Sequence, residues 1–352
     1  MMKGLINYSA IAAKLSAMRG KLLTQQQYEE LLSAKSVPEA VAYLKNLPAY
    51  HAVFEESGEE EMHRGRIEQL LWLSLYRDYA SLYRFASVKQ KNFLDIYFLH
   101  FEIDLLKRCL RNTLSNRRSE LNLSVYEEFF FRHSHLNLAA LAACTSLEPF
   151  LKELSGSPYQ APLGQLFESG TAALFDYEVA LDLFYFIRMW KALEKQLEKN
   201  ERATVVEAVG EKLDLLNLEW LLRARQYYRL PPESIHTFLI PIFYHLKKRQ
   251  LTELAYAAGP EEFLELLRKT HYKNKIPGDL FIGPEGLKLK QVFRAVTDAA
   301  YLSSGRKNPY SAAALNSFFY FKEEEIRKII TIIEGVRYQL DKEELLSCLA
   351  ES

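Results

Sequence analysis

Cysteine is scarce: Cys109, Cys144 and Cys348 are the only three in 352 residues, and they lie far apart. Three separated thiols form neither a disulfide framework nor a CxxC knuckle, so they read as reduced thiols of a cytosolic protein, packed as small apolar groups. Net charge is missing as well. Forty-five basic side chains balance forty-five acidic ones, for a formal net charge of +0. That balance removes the electrostatic footprint of a nucleic-acid binder, which needs a net basic face against phosphate. The basic clusters Arg117-Arg118, Lys247-Lys248-Arg249 and Lys273 to Lys290 are interspersed with acids and read as solvated surface. No apolar run approaches the ~18 to 20 residues that cross a bilayer. The first residues, MMKGLINYSAIAAKLSAMRGKLL, lack an apolar core with a small-residue cleavage site and read as an amphipathic helix rather than a signal peptide.

Chemistry-bearing motifs are also lacking. There is no GxxxxGK[ST] phosphate loop and no GxGxxG; Gly283-Pro284-Glu285-Gly286 is a turn without the lysine a phosphate cradle needs. His133-Ser134-His135 places two histidines on different faces of a helix, with no HxxxH, CxxC or carboxylate cluster to join them. The other histidines, His51, His63, His100, His236, His245 and His271, are dispersed and read as solvated or helix-terminal. Neither a GxSxG elbow nor a cysteine with a nearby histidine nominates a nucleophile and base. The expectation is a protein that is not an enzyme, with no catalytic residue, no cofactor, no metal and no small-molecule substrate.

What is present is helix. Hydrophobic residues make up 49% and charged residues 26%, the balance of an ordinary globular protein. Apolar residues recur at spacings of three and four over 70–85, 93–111, 166–199 and 291–302. Strand-like alternation is essentially missing. Breaks fall at Pro48, Ser155 to Pro162, Pro231-Pro232, Gly259-Pro260, Pro277-Gly278, Gly283-Pro284 and Pro309, none of them long. The pattern predicts an all-α body without a flexible tether. Capping boxes at Thr24/Gln27, Ser124/Glu127 and Asp341/Glu344 mark further helix starts. The twenty-one tyrosines and twenty-one phenylalanines are helix-spaced and read mainly as core.

The chain also repeats itself. Capping boxes at Ser36/Glu39 and Thr145/Glu148, and a looser start at Gly259-Pro260-Glu261-Glu262, each open a short helix that runs out at a tyrosine: Tyr50, Tyr159 and Tyr272. The starts lie 109 and 114 residues apart. A second element keeps the same step: Glu102, Asp214 and Glu325 are 112 and 111 apart, each followed by apolar positions at Leu106, Leu218 and Ile329 and again at Leu110, Leu222 and Ile333. This spacing predicts one triplicated domain with units at 1–114, 115–226 and 227–352, too long in period for a solenoid. The C-terminal QLDKEELLSCL resembles the early LLTQQQYEELL, as if a fourth copy began, and one reading has three units closing around an axis. The candidate residues are the acids and their neighbours: Glu102, Arg111, Asp214, Asn217, Arg223, Glu325 and Lys328. Two roles suit them, a helix-packing device used three times or a ring of acids on a receiving surface. Shared acid–base chemistry does not, because Glu334 replaces arginine in the third copy.

At these residues the chain resembles the C subunit of the V-type (archaeal and bacterial A/V-type) ATPase and ATP synthase, the relative of the eukaryotic d subunit. The most specific stretches are DLLNLEWLLRARQYYRLPPESI (214–235) and NPYSAAALNSFFYFKEEEIRKIITIIEGVRYQLDKEELL (308–346), supported by FEIDLLKRCLR (101–111) and RGKLLTQQQYEELL (19–32). Asn217 keeps an asparagine common in the family's motif; Leu105 and Lys328 depart from it. The resemblance implies a funnel of three similar helical units about a pseudo-threefold axis. It implies a non-catalytic central-stalk part of a rotary motor for ion transport, one copy per complex, peripheral on the cytoplasmic face. Its partners would be the central shaft subunits of the soluble sector and the proteolipid ring of the membrane sector. A cytosolic helical-repeat scaffold binding a helical or peptide partner is the alternative class. A helical enzyme is the third, and it lacks DDxxD-type clustering of acids.

Overall fold

Helix Ala312–Arg337 is buried along most of its length and around its circumference, from Ala312 to Tyr320 without interruption and on through Ile326, Ile329, Ile332, Ile333 and Val336. A helix buried on all sides belongs at the centre of a packed body, and this one takes Lys322, Glu323 and Glu325 into the interior with it. In the computed structural model it is the axis of one of two compact units: Met1–Lys91, Ala203–Val205 and Lys290–Ser352. The structure describes residues 2–351 except 57–61, 115–122, 227, 278–281, 284–285 and 288. Arg117-Arg118 and the centre of the Gly283–Gly286 turn thus lie outside the described residues.

Around that axis pack helices Met2–Arg19, Gln25–Leu32, Val37–Lys45, Arg64–Phe85, Lys290–Lys307 and Lys342–Glu351. The N-terminal helix turns one face inward, through Tyr8, Ile11, Leu15 and Met18, at the spacing of three and four that its sequence predicts. Two glycines permit close approach. A Cβ on Gly305 would lie 2.7 Å from Ser317 Cβ, and one on Gly335 2.7 Å from Leu345 Cγ, the buried anchor of the last helix. Tyr301 and Tyr320 stack at 4.0 Å between centroids where helices Lys290–Lys307 and Ala312–Arg337 meet.

The second unit comprises Asn92–Arg202 and Val206–Leu289. Its long helices are Val88–Leu114, Leu174–Gln196 and Lys199–Gln226, accompanied by short helices such as Leu138–Ala143, Leu147–Glu153, Lys248–Tyr256 and Pro260–Leu267 and a 3₁₀ turn at His271–Lys275. Lys107 pairs with Asp182 and Arg111 with Glu178, so two successive turns of one long helix face two of another. Among the described residues the only β-structure is a two-residue antiparallel ladder, Ile282–Gly283 with Gly286–Leu287. The all-α class therefore stands.

Several local expectations change. The stretch 166–199 is not one helix: Gln160–Ser169 ends at Gly170, in the left-handed region at φ 68°, and Leu174–Gln196 starts afresh. A glycine relieved of Cβ clash stops a helix there despite the apolar periodicity. Helix Leu147–Glu153 is preceded by Ser146, not Thr145, and no side chain caps it. Leu123, rather than Ser124, precedes the next helix start. The boxes at Thr24/Gln27 and Asp341/Glu344 form with both reciprocal bonds. The cysteines are free, but only Cys109 is buried; Cys348 is exposed and not packed.

Candidate functional site

The two repeated elements meet. Each repeated acid, projecting from a long helix, accepts a hydrogen bond from one of the repeated tyrosines: Glu102 from Tyr159, Asp214 from Tyr272 at 3.0 Å, and Glu325 from Tyr50 at 2.6 Å. All three tyrosines are fully buried. Burial, then the adjacent carboxylate, pushes each phenol well above its usual range, so all three remain donors at neutral pH.

Each acid also holds the far end of the segment that its tyrosine closes. Glu325 Oε2 accepts the backbone N–H of Leu23 at 2.6 Å, one residue before the Thr24 cap of helix Gln25–Leu32. Asp214 accepts the N–H groups of Tyr244, His245 and Leu246 at 3.2, 2.7 and 3.0 Å, ending one residue before helix Lys248–Tyr256 is capped at Lys247. Glu102 accepts the hydroxyl of Ser134, shortly before helix Leu138–Ala143. A single carboxylate thus fastens both the entry and the exit of a pair of short helices, with the tyrosine as exit bolt. For Glu102 and Asp214 that tyrosine follows by 57 and 58 residues; for Glu325 it precedes by 275. The third latch joins the ends of the chain.

The compensation of charge differs among the three. Glu325 is buried beside Lys322, whose Nζ lies 3.0 Å from Oε1 and 4.0 Å from the centroid of the Tyr50 ring. Asp214 is fully buried; desolvation pushes its carboxyl upward, and the three backbone N–H groups and the Tyr272 hydroxyl oppose that shift. Glu102 is half-buried. Asn217, one turn beyond Asp214, donates to the Ile240 carbonyl at 3.0 Å and accepts its N–H at 2.8 Å. Residues 236–247 are largely irregular, yet Ile240, Ile242 and Leu246 are buried, so side chains must satisfy a backbone that no ladder serves. That requirement accounts for an amide at 217 where Leu105 and Lys328 stand elsewhere.

The remaining candidates lie at the periphery. Arg111 pairs with Glu178, Arg223 approaches Glu219 at 4.0 Å, and Lys328 Nζ lies 5.8 Å from the Tyr28 ring centroid. His133 packs among Phe98 and Phe129, and burial lowers its pKa. The partner tyrosines and Ser134 escape a search confined to the acid motif. The shared period was the available signal, since an acid and a tyrosine separated by 57 or 58 residues in two copies mark a contact. Two histidines that look dispersed also come together: His245 and His271 stack at 3.7 Å, beside Glu211.

The family described as "ATP synthase (C/AC39) subunit" matches residues 11–347, nearly the whole chain. The chain belongs to this family. Among its relatives are the A-type ATP synthase C subunits of Methanosarcina mazei, 24% identical over 97% of this chain and 92% of the relative, and of Methanocaldococcus jannaschii, 24% identical over 99% and 88%. That of Thermococcus kodakarensis is 22% identical over 98% and 90%. The family is that of a subunit of rotary ATPases. None of the described helices is long and apolar enough to span a membrane.

Proposed function

We propose that this chain is the non-catalytic central-stalk socket of a rotary ATPase, coupling the rotating shaft of the soluble sector to the proteolipid ring for ion transport. The match to the ATP synthase subunit family over residues 11–347 carries the reading. In this role one copy sits on the rotation axis, peripheral on the cytoplasmic face, with three similar helical modules arranged as a funnel. Three related but unequal modules are one means by which a single chain contacts a ring of different symmetry. Torque transfer needs a body that does not yield. Packed helices resist compression, and the acid–tyrosine latches favour stiffness because each ties two short helices to a long one. The sequence contains no phosphate cradle, and the role asks for none.

The test is reconstitution of the complex with and without this chain. Without it, ATP hydrolysis by the soluble head should persist while hydrolysis-driven ion uptake into vesicles is lost, because the chemistry lies elsewhere and only torque is interrupted. Undiminished ion uptake without the chain would overturn the proposal, as would reproducible micromolar ATP binding to the isolated subunit.

A further inference from the structure

Glu211, His245 and His271 belong to three segments of chain that are remote in sequence, yet one ligand atom from each lies within 4.8 Å of the others. We propose that they form a site for a borderline divalent transition ion of the zinc, cobalt or nickel type. Two imidazoles and a carboxylate are the donor set such ions take, whereas magnesium and calcium prefer all-oxygen shells. Three protein ligands leave a further position for water.

The site is preorganised by the Asp214 latch. Glu211 stands three residues before Asp214 on helix Lys199–Gln226, hence on the same face. His245 donates its backbone N–H to Asp214 at 2.7 Å, and His271 precedes Tyr272, whose hydroxyl donates to the same carboxylate. Gly210 completes the arrangement. A Cβ there would fall 2.4 Å from Tyr244 Cγ, so only glycine lets that ring lie against the helix and deliver His245 beside Glu211. No described residue hydrogen-bonds to the imidazole nitrogens of His245 or His271, and His271 is exposed, which leaves lone pairs and an entry path from solvent.

Donors around a tetrahedral zinc ion are about 3.4 Å apart, and an imidazole lone pair lies in its ring plane, so binding requires the stacked His245 and His271 rings to swing out of parallel until both planes point at the ion. The competing group is Lys275, whose Nζ lies 2.6 Å from Glu211 Oε1. It supplies the positive charge that Glu211 holds without an ion, and binding must displace it or use the other oxygen. The corresponding positions, three before the acid, are Leu99 and Lys322 in the other two copies, and the residues before the tyrosines are Pro158 and Ala49. The site is therefore peculiar to the Asp214 latch and not a by-product of the repeat.

The experiment is calorimetric titration of the tag-free, chelator-treated full chain with Zn²⁺, with Co²⁺ absorption as a second readout of ligand geometry. One equivalent is expected to bind and to raise the melting temperature. His271→Gln, at an exposed position that keeps the fold, should weaken binding by about 100-fold or more, as loss of a first-sphere ligand exceeds the 10–100-fold typical of outer-sphere changes. Lys275→Met should tighten binding several-fold. Absence of stoichiometric binding overturns the proposal. So does binding that His271→Gln leaves unchanged, since the ion would then sit on other surface histidines, and so does a Lys275→Met variant that binds less tightly.

Discussion

The Glu325 and Asp214 latches accomplish the same task by opposite means. Both acids are buried, both receive a buried tyrosine hydroxyl, and both hold the entry of a two-helix segment. Glu325 is neutralised by a full cation, Lys322, buried with it. Asp214 has three backbone N–H groups instead. The difference follows from what each acid must receive. Helix Gln25–Leu32 has its own capping box, so a single N–H from Leu23 remains for Glu325, and one dipole does not offset a buried charge. The irregular backbone at 244–246 offers three donors, and a cation there would compete with them. The position of the acid is thus inherited by the repeat, while its electrostatic partner is set locally.

The largest effect should come from breaking the ion pair. Lys322→Met leaves Glu325 buried and uncompensated and should cost about 3–5 kcal/mol in denaturant unfolding. Adding Glu325→Leu should recover much of that loss. Asp214→Asn keeps an acceptor for part of its donors and should cost less, about 1–3 kcal/mol. A Lys322→Met protein more stable than Asp214→Asn would refute the division of roles between ion pair and backbone dipoles.

Removing the bolts while keeping the rings sharpens the comparison. Tyr50→Phe and Tyr272→Phe should each cost about 1.5–3 kcal/mol, the worth of a hydrogen bond to a charged group. Tyr159→Phe should cost less, because Glu102 is half-buried and keeps Ser134 and access to water. Equal losses at all three, measured by chemical denaturation, would show that burial does not grade the latches.

The tyrosines also predict alkaline behaviour. Their folded pKa values lie above the unfolded value near 10, so their contribution is complete below pH 10 and declines as pH rises toward the folded values. Each should cost about 1.4 kcal/mol of stability per pH unit in that window. The part of the phenolate absorbance that belongs to Tyr50, Tyr159 and Tyr272 should therefore appear in step with loss of helical circular dichroism. Ionisation of these three before unfolding, seen as phenolate signal that Tyr→Phe substitution removes, would contradict the latch.

Smallest are the peripheral pairs. Arg223→Ala, at a half-exposed pair 4.0 Å from Glu219, should change stability by less than about 0.5 kcal/mol, and Arg111→Ala by about 1 kcal/mol at most. A larger effect of Arg223→Ala on assembly with the partner subunits than on melting would assign that residue to an interface.

Much of this architecture is legible in the chain because helices are local. Apolar spacing at 93–111 and 291–302, the boxes at Thr24 and Asp341, and Gly259-Pro260 at a helix start depend on contacts within a few residues. Gly170 is the counterexample, since a local glycine outweighs a periodicity that runs on to residue 199. The sequence by itself also determined that an acid and a tyrosine recur in step, because a repeat is a property of order alone. Only the tertiary structure decided that the two recurrences are halves of one latch, that Glu325 reaches back to Tyr50, and that Lys322 rather than backbone answers its charge. It alone brought Glu211, His245 and His271 together. Charge compensation and ligand clustering depend on which remote segments share a desolvated volume, and no spacing along the chain encodes that.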